Sequence, residues 1–355
     1  MLNDVAGHAR SIAGTWFGFW SRELLRASTY LEHAFPTTTP EPRWATPAET
    51  SRLRDTVHLR LPAPGEGGGL PILVVTPQVN HSYVADFAPD QSLVRTLLAA
   101  GAGRIAVTDW QPPPRRPYRI ADSIDDIVAC IDALGGRVHL AGLCQGGWQC
   151  AIAAALHPDK VATLTLAAAP VDAHAGRTKL HDFVHGLPMA FYENLVRTNG
   201  GVAPGAALAT GFDLLRPEER FWRNYRDLWL NALDPGYVAR YDRIRNWYRL
   251  NKDVAGDLYV EVVRDIFKGN RLANGTLRVG GRVVDLARIR CPAFLIAGAQ
   301  DHITPPEQVF AFERLAPHAR CRRFTARAGH VGVFMGHTAL RSVWPEVAAG
   351  MLAAE

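Results

Sequence analysis

No stretch of about 18 apolar residues occurs in the sequence, which excludes a membrane-spanning helix. Cysteine is sparse and unpaired: five residues, an odd number, widely scattered and without a C-x-x-C pair. That spacing argues against a disulfide framework and a zinc site, and reads as a reduced, cytoplasmic protein. The first residues lack the basic stretch, apolar core and small-residue cleavage site of a secretory leader. Lysine is nearly absent, with Lys160, Lys179, Lys252 and Lys268 the whole set, so the net charge of +5 is carried by arginine. The arginines form no long basic run, which leaves nucleic-acid binding without support. Their excess reads either as a compositional habit or as a field for an anionic substrate. Internal repeats, low-complexity segments, a dinucleotide fingerprint and a metal cluster are also missing. Neither a cofactor nor a metal ion is therefore expected.

What remains is ordinary globular material: 355 residues, 48% hydrophobic and 21% charged. Residues 1–50 read as a helix and a Thr/Pro-rich linker. Ile12, Trp16, Phe19 or Trp20, and Leu24 recur at helical spacing, to pack on the body or to face a partner. From residue 51 short apolar strands alternate with helices. Strands are predicted at Val57–Leu61, Pro71–Thr76, Arg104–Trp110, Val138–Leu143 and Val161–Ala168. Helices are predicted at Ser92–Ala100, Ser123–Leu134, with Ser123 as N-cap, and Gly146–His157. This alternation implies a mostly parallel, doubly wound α/β sheet. It stops at Asp172 and resumes with strands at Ala293–Ala297 and Cys321–Phe324. A structureless loop of that length is implausible, so 173–287, rich in aromatics such as Trp222, Trp229 and Trp247, reads as an inserted helical cap. The core is then 51–172 with 288–355.

The chemistry concentrates at Gly142-Leu143-Cys144-Gln145-Gly146, a G-x-C-x-G nucleophile elbow between a predicted strand and a predicted helix. The tight turn requires residues without bulk two before and two after the nucleophile, hence Gly142 and Gly146. The following helix end favours a thiolate. A cysteine nucleophile needs a base, and the base an orienting carboxylate. In the α/β-hydrolase fold their chain order is nucleophile, acid, histidine. Asp301, after the strand at Ala293–Ala297, and His330, after the strand near Phe324, satisfy that order. Cys150, six residues beyond the elbow, reads as packing. Asn80 and His81 follow the strand Pro71–Thr76, where an oxyanion-hole N–H usually originates; Gln145 would supply the other. One such donor is worth roughly 3–4 kcal/mol in the transition state.

These residues resemble a known family, the catalytic subunits of polyhydroxyalkanoate synthases, especially the short two-component kind. The matching segments include Val79-Asn80-His81-Ser82-Tyr83 with Asp86, Ser92-Leu93-Val94-Arg95 and Asp109-Trp110. They continue through Ser123-Ile124-Asp125-Asp126, the elbow with Gly147, His157-Pro158-Asp159-Lys160, Asp301-His302 and Gly329-His330. The likeness runs from about residue 55 to the end. It implies that Cys144 carries the acyl group as a thioester and that His330 is its base. Asp301 would orient His330 or help activate the incoming hydroxyl, with His302 as a supporting imidazole. Trp148 and His81 depart from the residues usual in that family. The ending Gly329–Gly336 also resembles the related intracellular polyhydroxyalkanoate depolymerases.

Three readings stay open. The first is an acyltransferase that polymerises 3-hydroxyacyl-CoA. The second is a thiol hydrolase or depolymerase acting on polyester, oligomer or thioester. The third is a non-enzymatic paralogue bound to a granule or a partner. The resemblance implies 3-hydroxyacyl-CoA and a polyester chain as ligands. It also makes a homodimer, a second synthase subunit and a granule surface the candidate partners of a cytoplasmic, granule-associated protein.

Overall fold

The apolar runs show no alternation because both of their faces are covered. In the computed structural model of the protein they form the middle of an eight-stranded sheet. The structure describes residues 2–40 and 43–354, with the side chains of residues 2–15, 17 and 219–221 outside the description. Ile12, expected on the apolar stripe of the first helix, is among the latter. The chain divides into two units. One joins Met1–Glu41, which carries helix α1 (Leu2–Ala34), to Ala209–Leu250; the other comprises Pro42–Leu208 and Asn251–Glu355.

The second unit holds the sheet. Its strands are β1 (Ala48–Arg52), β2 (Val57–Pro62), β3 (Ile72–Val75) and β4 (Ile105–Trp110). They continue with β5 (Val138–Leu143), β6 (Val161–Ala167), β7 (Ala293–Gly298) and β8 (Cys321–Ala326). The spatial order is β1-β2-β4-β3-β5-β6-β7-β8. The pairs β1/β2 and β2/β4 are antiparallel, and every later pair is parallel. This is the α/β-hydrolase fold. Strands β3 and β6 lie on either side of β5, with Val75 and Ala167 opposite Gly142 and Leu143. The carboxyl ends of these three strands therefore surround the elbow.

Helix α2 (Leu93–Ala99) starts where Ser92 Oγ accepts the Arg95 N–H at 2.9 Å. Helix α3 spans Ile120–Ala133, and α4 spans Gln145–Leu156. Every residue of α4 is buried, which explains why its sequence is mostly apolar rather than striped, with Gln145 and Gln149 hydrogen-bonded inside. Two expectations need correction. The segment read as the end of a linker contains β1, an edge strand whose exposed residues carry no alternation to announce it. Helix α3 begins three residues before Ser123. Asp122 accepts the Arg119 N–H at 2.8 Å, while Ser123 Oγ turns back to the Ile120 carbonyl at 2.8 Å. Trp148, the bulky departure from the family pattern, is fully buried in the core of this unit.

Of residues 173–287, 173–208 and 251–287 belong to the sheet unit, which includes helix α5 (Lys179–Gly186). Residues 209–250 carry helices α6 (Asn224–Asn231) and α7 (Pro235–Arg249) in the other unit. There Asp234 caps α7 by accepting from the Gly236 and Tyr237 N–H groups. Ala34, Leu228 and Val238 form a small core, surrounded by Tyr30, Tyr225, Tyr237 and Tyr241. His33 Nδ1 adds a 2.6 Å contact to Asp242 Oδ2. Trp16, Phe19, Trp20 and Leu24 are more than half exposed on α1.

Candidate active site

The elbow is built by close backbone approach. Cys144 directly follows β5 with φ 52° and ψ −115°, a region that L-residues rarely adopt. Its N–H donates to the Ala167 carbonyl at 2.8 Å, and its own carbonyl accepts the Gly147 N–H at 2.9 Å. A Cβ at Gly142 would lie 2.4 Å from the Gly146 oxygen, and one at Gly146 would lie 2.2 Å from the Val75 oxygen. Both obstacles are backbone and cannot rotate away, so the spacing of the glycines has a steric cause. Gly147 is equally constrained, with its Cβ position 2.3 Å from Ala169 Cβ.

Cys144 is half-buried, whereas Cys130 and Cys150 are sealed in the core. Burial pushes the Cys130 thiol up to about 12, and the Cys150 thiol well above its ordinary value. Burial likewise raises the Cys291 and Cys321 thiols to about 11.

Asp301 and His330 converge from the loops after β7 and β8. Asp301 Oδ2 lies 2.8 Å from His330 Nδ1. Asp301 Oδ1 accepts the Ile303 and Thr304 N–H groups, each at 2.9 Å, which fixes the carboxylate plane. A carboxylate only accepts, so Nδ1 carries the proton and Nε2 is left for Cys144. Burial disfavours the charged ring of His330, yet its pKa stands well above the ordinary value. The charges of Cys144 and Asp301, together with hydrogen bonds to both side chains, outweigh that desolvation. The structure thus brings Cys144, His330 and Asp301 together. His302 is half-buried beside Asp301.

The loop after β3 is tied to the first turn of α4 by buried amides. The Gln78 N–H donates to Gln145 Oε1 at 3.0 Å, and Gln145 Nε2 donates to Gln78 Oε1 at 3.2 Å. Gln149 Nε2 reaches Gln78 Oε1 at 3.0 Å and Ser123 Oγ at 3.2 Å. Gln78 Nε2 donates to the Tyr118 hydroxyl at 3.3 Å, and that hydroxyl donates to Asp126 Oδ2 at 2.8 Å. Arg54 closes the chain on Asp126 Oδ1 at 3.0 Å. Burial, followed by the adjacent Asp126 charge, raises the Tyr118 pKa and keeps its proton on the oxygen.

This network orients the peptide that follows Cys144. It also commits the Gln78 N–H to Gln145 Oε1, so any backbone donor this loop offers to a ligand lies beyond Gln78. Asn80 and His81 occupy that stretch, half-buried, with the His81 ring 5.7 Å from Tyr83. Asp86 anchors the far side of the loop by accepting from the Thr46 N–H, Thr46 Oγ1 and Ser92 Oγ. Sequence reasoning missed Gln78, Tyr118 and Gln149. The one local signal was Gln149, a turn after Gln145 on the same face of α4.

A family model described as a protein of unknown function (DUF3141) matches residues 122–336. The chain is 31% identical over 291 residues to a poly(3-hydroxyalkanoate) polymerase subunit PhaC of Haloferax mediterranei, covering 78% of this chain and 58% of that one. It is 30% identical over 290 residues to the subunit of the same name from Thiocystis violacea, covering 78% of this chain and 79% of that one. The chain thus spans about three-fifths of the length of the haloarchaeal relatives it matches. Among solved structures it resembles a monoacylglycerol lipase of Paleococcus ferrophilus, with TM-score 0.53 and 18% identity over 84% of this chain and 99% of that one. It also resembles the enol-lactonase of Burkholderia xenovorans LB400, with TM-score 0.54 and 17% identity over 86% of this chain and all of that one. At these identities the structural likenesses speak for the fold alone.

Proposed function

The chain belongs to the poly(3-hydroxyalkanoate) polymerase family, and from that premise we propose that it is an acyltransferase extending a polyester from 3-hydroxyacyl-CoA through a thioester on Cys144. The observation that carries this reading is the contact of Cys144 with His330, whose Nδ1 is held by Asp301. In the proposed first half-reaction His330 Nε2 holds the proton drawn from the thiol, and the Cys144 Sγ attacks the thioester carbonyl of the substrate. The carbon–sulfur bond to Cys144 forms, the bond to CoA breaks, and His330 returns its proton to the departing CoA sulfur. In the second half, Nε2 takes the proton from the hydroxyl of a growing chain or second unit. Its oxygen attacks the Cys144 thioester carbonyl, the carbon–sulfur bond to Cys144 breaks, and Nε2 returns the proton to Sγ.

The Gln145 N–H and the loop carrying Asn80 and His81 are the proposed donors to the tetrahedral oxyanion. The amide network that fixes Gln145 supports this assignment. Asp301 holds the tautomer, with His302 beside it. The exposed aromatic face of α1 supports association with a granule surface.

Incubation of the protein with 3-hydroxybutyryl-CoA tests the reading. Polymer or oligomer formation, with a hydroxybutyryl adduct on Cys144 detected by mass spectrometry, is the expected outcome. Free acid without chain growth would instead assign a hydrolase.

A further inference from the structure

Three histidines with no part in the chemistry above converge beside α5. His181 and His185 are one turn apart on that helix, so their rings share a face. The two rings stack at 4.0 Å with 23° between their planes. His174, in the turn region after β6, sets its ring edge-on to them at 5.4 and 5.2 Å. One ring nitrogen from each residue lies within 4.8 Å of the other two.

Two of the tautomers follow from the surroundings, because a backbone carbonyl only accepts. His174 Nε2 lies 2.8 Å from the Phe267 oxygen, so it carries the hydrogen and Nδ1 keeps a lone pair. His185 Nδ1 lies 2.9 Å from the His181 oxygen, which leaves the lone pair on Nε2. His181 Nδ1 faces Asp182 Oδ1 at 3.5 Å, which leaves Nε2 as its free nitrogen. Anchoring one ring N–H on a carbonyl so that the other nitrogen is presented is the usual support of a metal-binding imidazole.

Three gathered imidazoles gain little from one another. Protonation of any two places like charges side by side, and neutral rings set lone pairs against lone pairs. A divalent cation removes both penalties. We infer that His174, His181 and His185 bind one late transition-metal ion, of which zinc is the expected example. All three donors are imidazole nitrogen, a set that suits zinc, copper or nickel and not magnesium or calcium. Tetrahedral zinc places its nitrogen ligands roughly 3.3 Å apart, given bonds of about 2.0–2.1 Å. Binding of the ion would require side-chain rotations that close the observed spread to that value. The ion would clip the turn after β6 to α5 and, through the His174 N–H, to the Phe267 carbonyl. His181, His185, Phe267 and Ile303 line one small pocket there, and Ile303 is two residues from Asp301. The expectation of no metal ion rests on the absence of a recognisable metal cluster and passes over the His-x-x-x-His spacing of His181 and His185.

The test is titration of chelator-stripped full-length protein with zinc sulfate, followed by equilibrium dialysis and metal analysis. One zinc per chain is expected. The Cys144→Ser variant should retain it, which separates this site from the thiol. His185→Gln and His174→Gln should each weaken it at least tenfold, with unchanged far-ultraviolet circular dichroism. The cobalt-substituted protein should show the visible bands of a nitrogen-ligated tetrahedral ion and no thiolate charge-transfer band. Because His174 and His185 are exposed, either variant alone suffices if the other fails to fold. Absence of saturable binding, or binding that survives both histidine substitutions but is lost with Cys144, overturns the assignment.

Discussion

Two opposing influences set the charge of His330. Its charged form is disfavoured by burial but stabilised by the charges of Cys144 and Asp301, and the second influence wins. A raised pKa in the fold means stabilisation that is complete below the unfolded value of about 6.5 and is lost as pH rises through the folded value. Unfolding free energy is therefore expected to decline with rising pH above 6.5. Removing the thiol in Cys144→Ser should lower the imidazole pKa, read by NMR titration, and shrink that decline. An unshifted titration would mean that the two groups do not interact. Asp301→Asn keeps the shape but favours the wrong tautomer, and turnover of 3-hydroxybutyryl-CoA should fall by about 10³–10⁴-fold. That Cys144, Asp301 and His330 would lie together was legible in the sequence, because their order along the chain and their strand-end positions are fixed by the fold. Gln78, Tyr118 and Gln149 were not, since the contacts that join them link different elements and follow no linear spacing.

Among elements, the turn between β5 and α4 stores strain for presentation of the thiol. A non-glycine residue at φ 52° and ψ −115° costs about 1–3 kcal/mol, and glycine would relieve it at an entropic cost of roughly 0.5–1 kcal/mol in the unfolded chain. Cys144→Gly should thus exceed Cys144→Ala, which lacks the thiol equally, by about 1 kcal/mol of unfolding free energy in a urea titration, with turnover abolished in both. No gain in stability would show that the turn is relaxed. Gly146→Ala drives a Cβ into the Val75 carbonyl and should cost about 2–3 kcal/mol in the same measurement, because neither backbone segment can yield without shifting β3. The middle strands and α4 were readable from runs that are mostly apolar and show no alternation. Strand β1 was not, since an exposed edge strand needs no apolar face, and neither was the start of α3, where Asp122 rather than Ser123 satisfies the first turn.

At the scale of the whole molecule, the aromatic stripe of 173–287 serves more than one purpose. Tyr225, Tyr237 and Tyr241 surround the small core that α1, α6 and α7 share, as a core reading of such stripes anticipates. The face of α1 bearing Trp16, Trp20 and Leu24 differs. These residues recur every four positions, lie along one side of the helix, and are each more than half exposed. Leaving side chains of this kind in water forgoes about 1.5–3 kcal/mol apiece, and a contiguous apolar face of this sort marks an interaction surface. None of the three belongs to the core built from Ala34, Leu228 and Val238, so polar replacements should spare the fold. The triple variant Trp16→Ser, Trp20→Ser, Leu24→Ser should keep the melting temperature of the parent and its turnover of soluble 3-hydroxybutyryl-CoA. Its recovery with purified poly(3-hydroxybutyrate) granules in a flotation gradient should fall by at least tenfold, where each factor of ten is roughly 1.4 kcal/mol of surface binding. Undiminished flotation would remove α1 as the anchor. Loss of turnover in step with flotation would instead mean that the helix supports the folded catalytic unit and not its attachment to polymer.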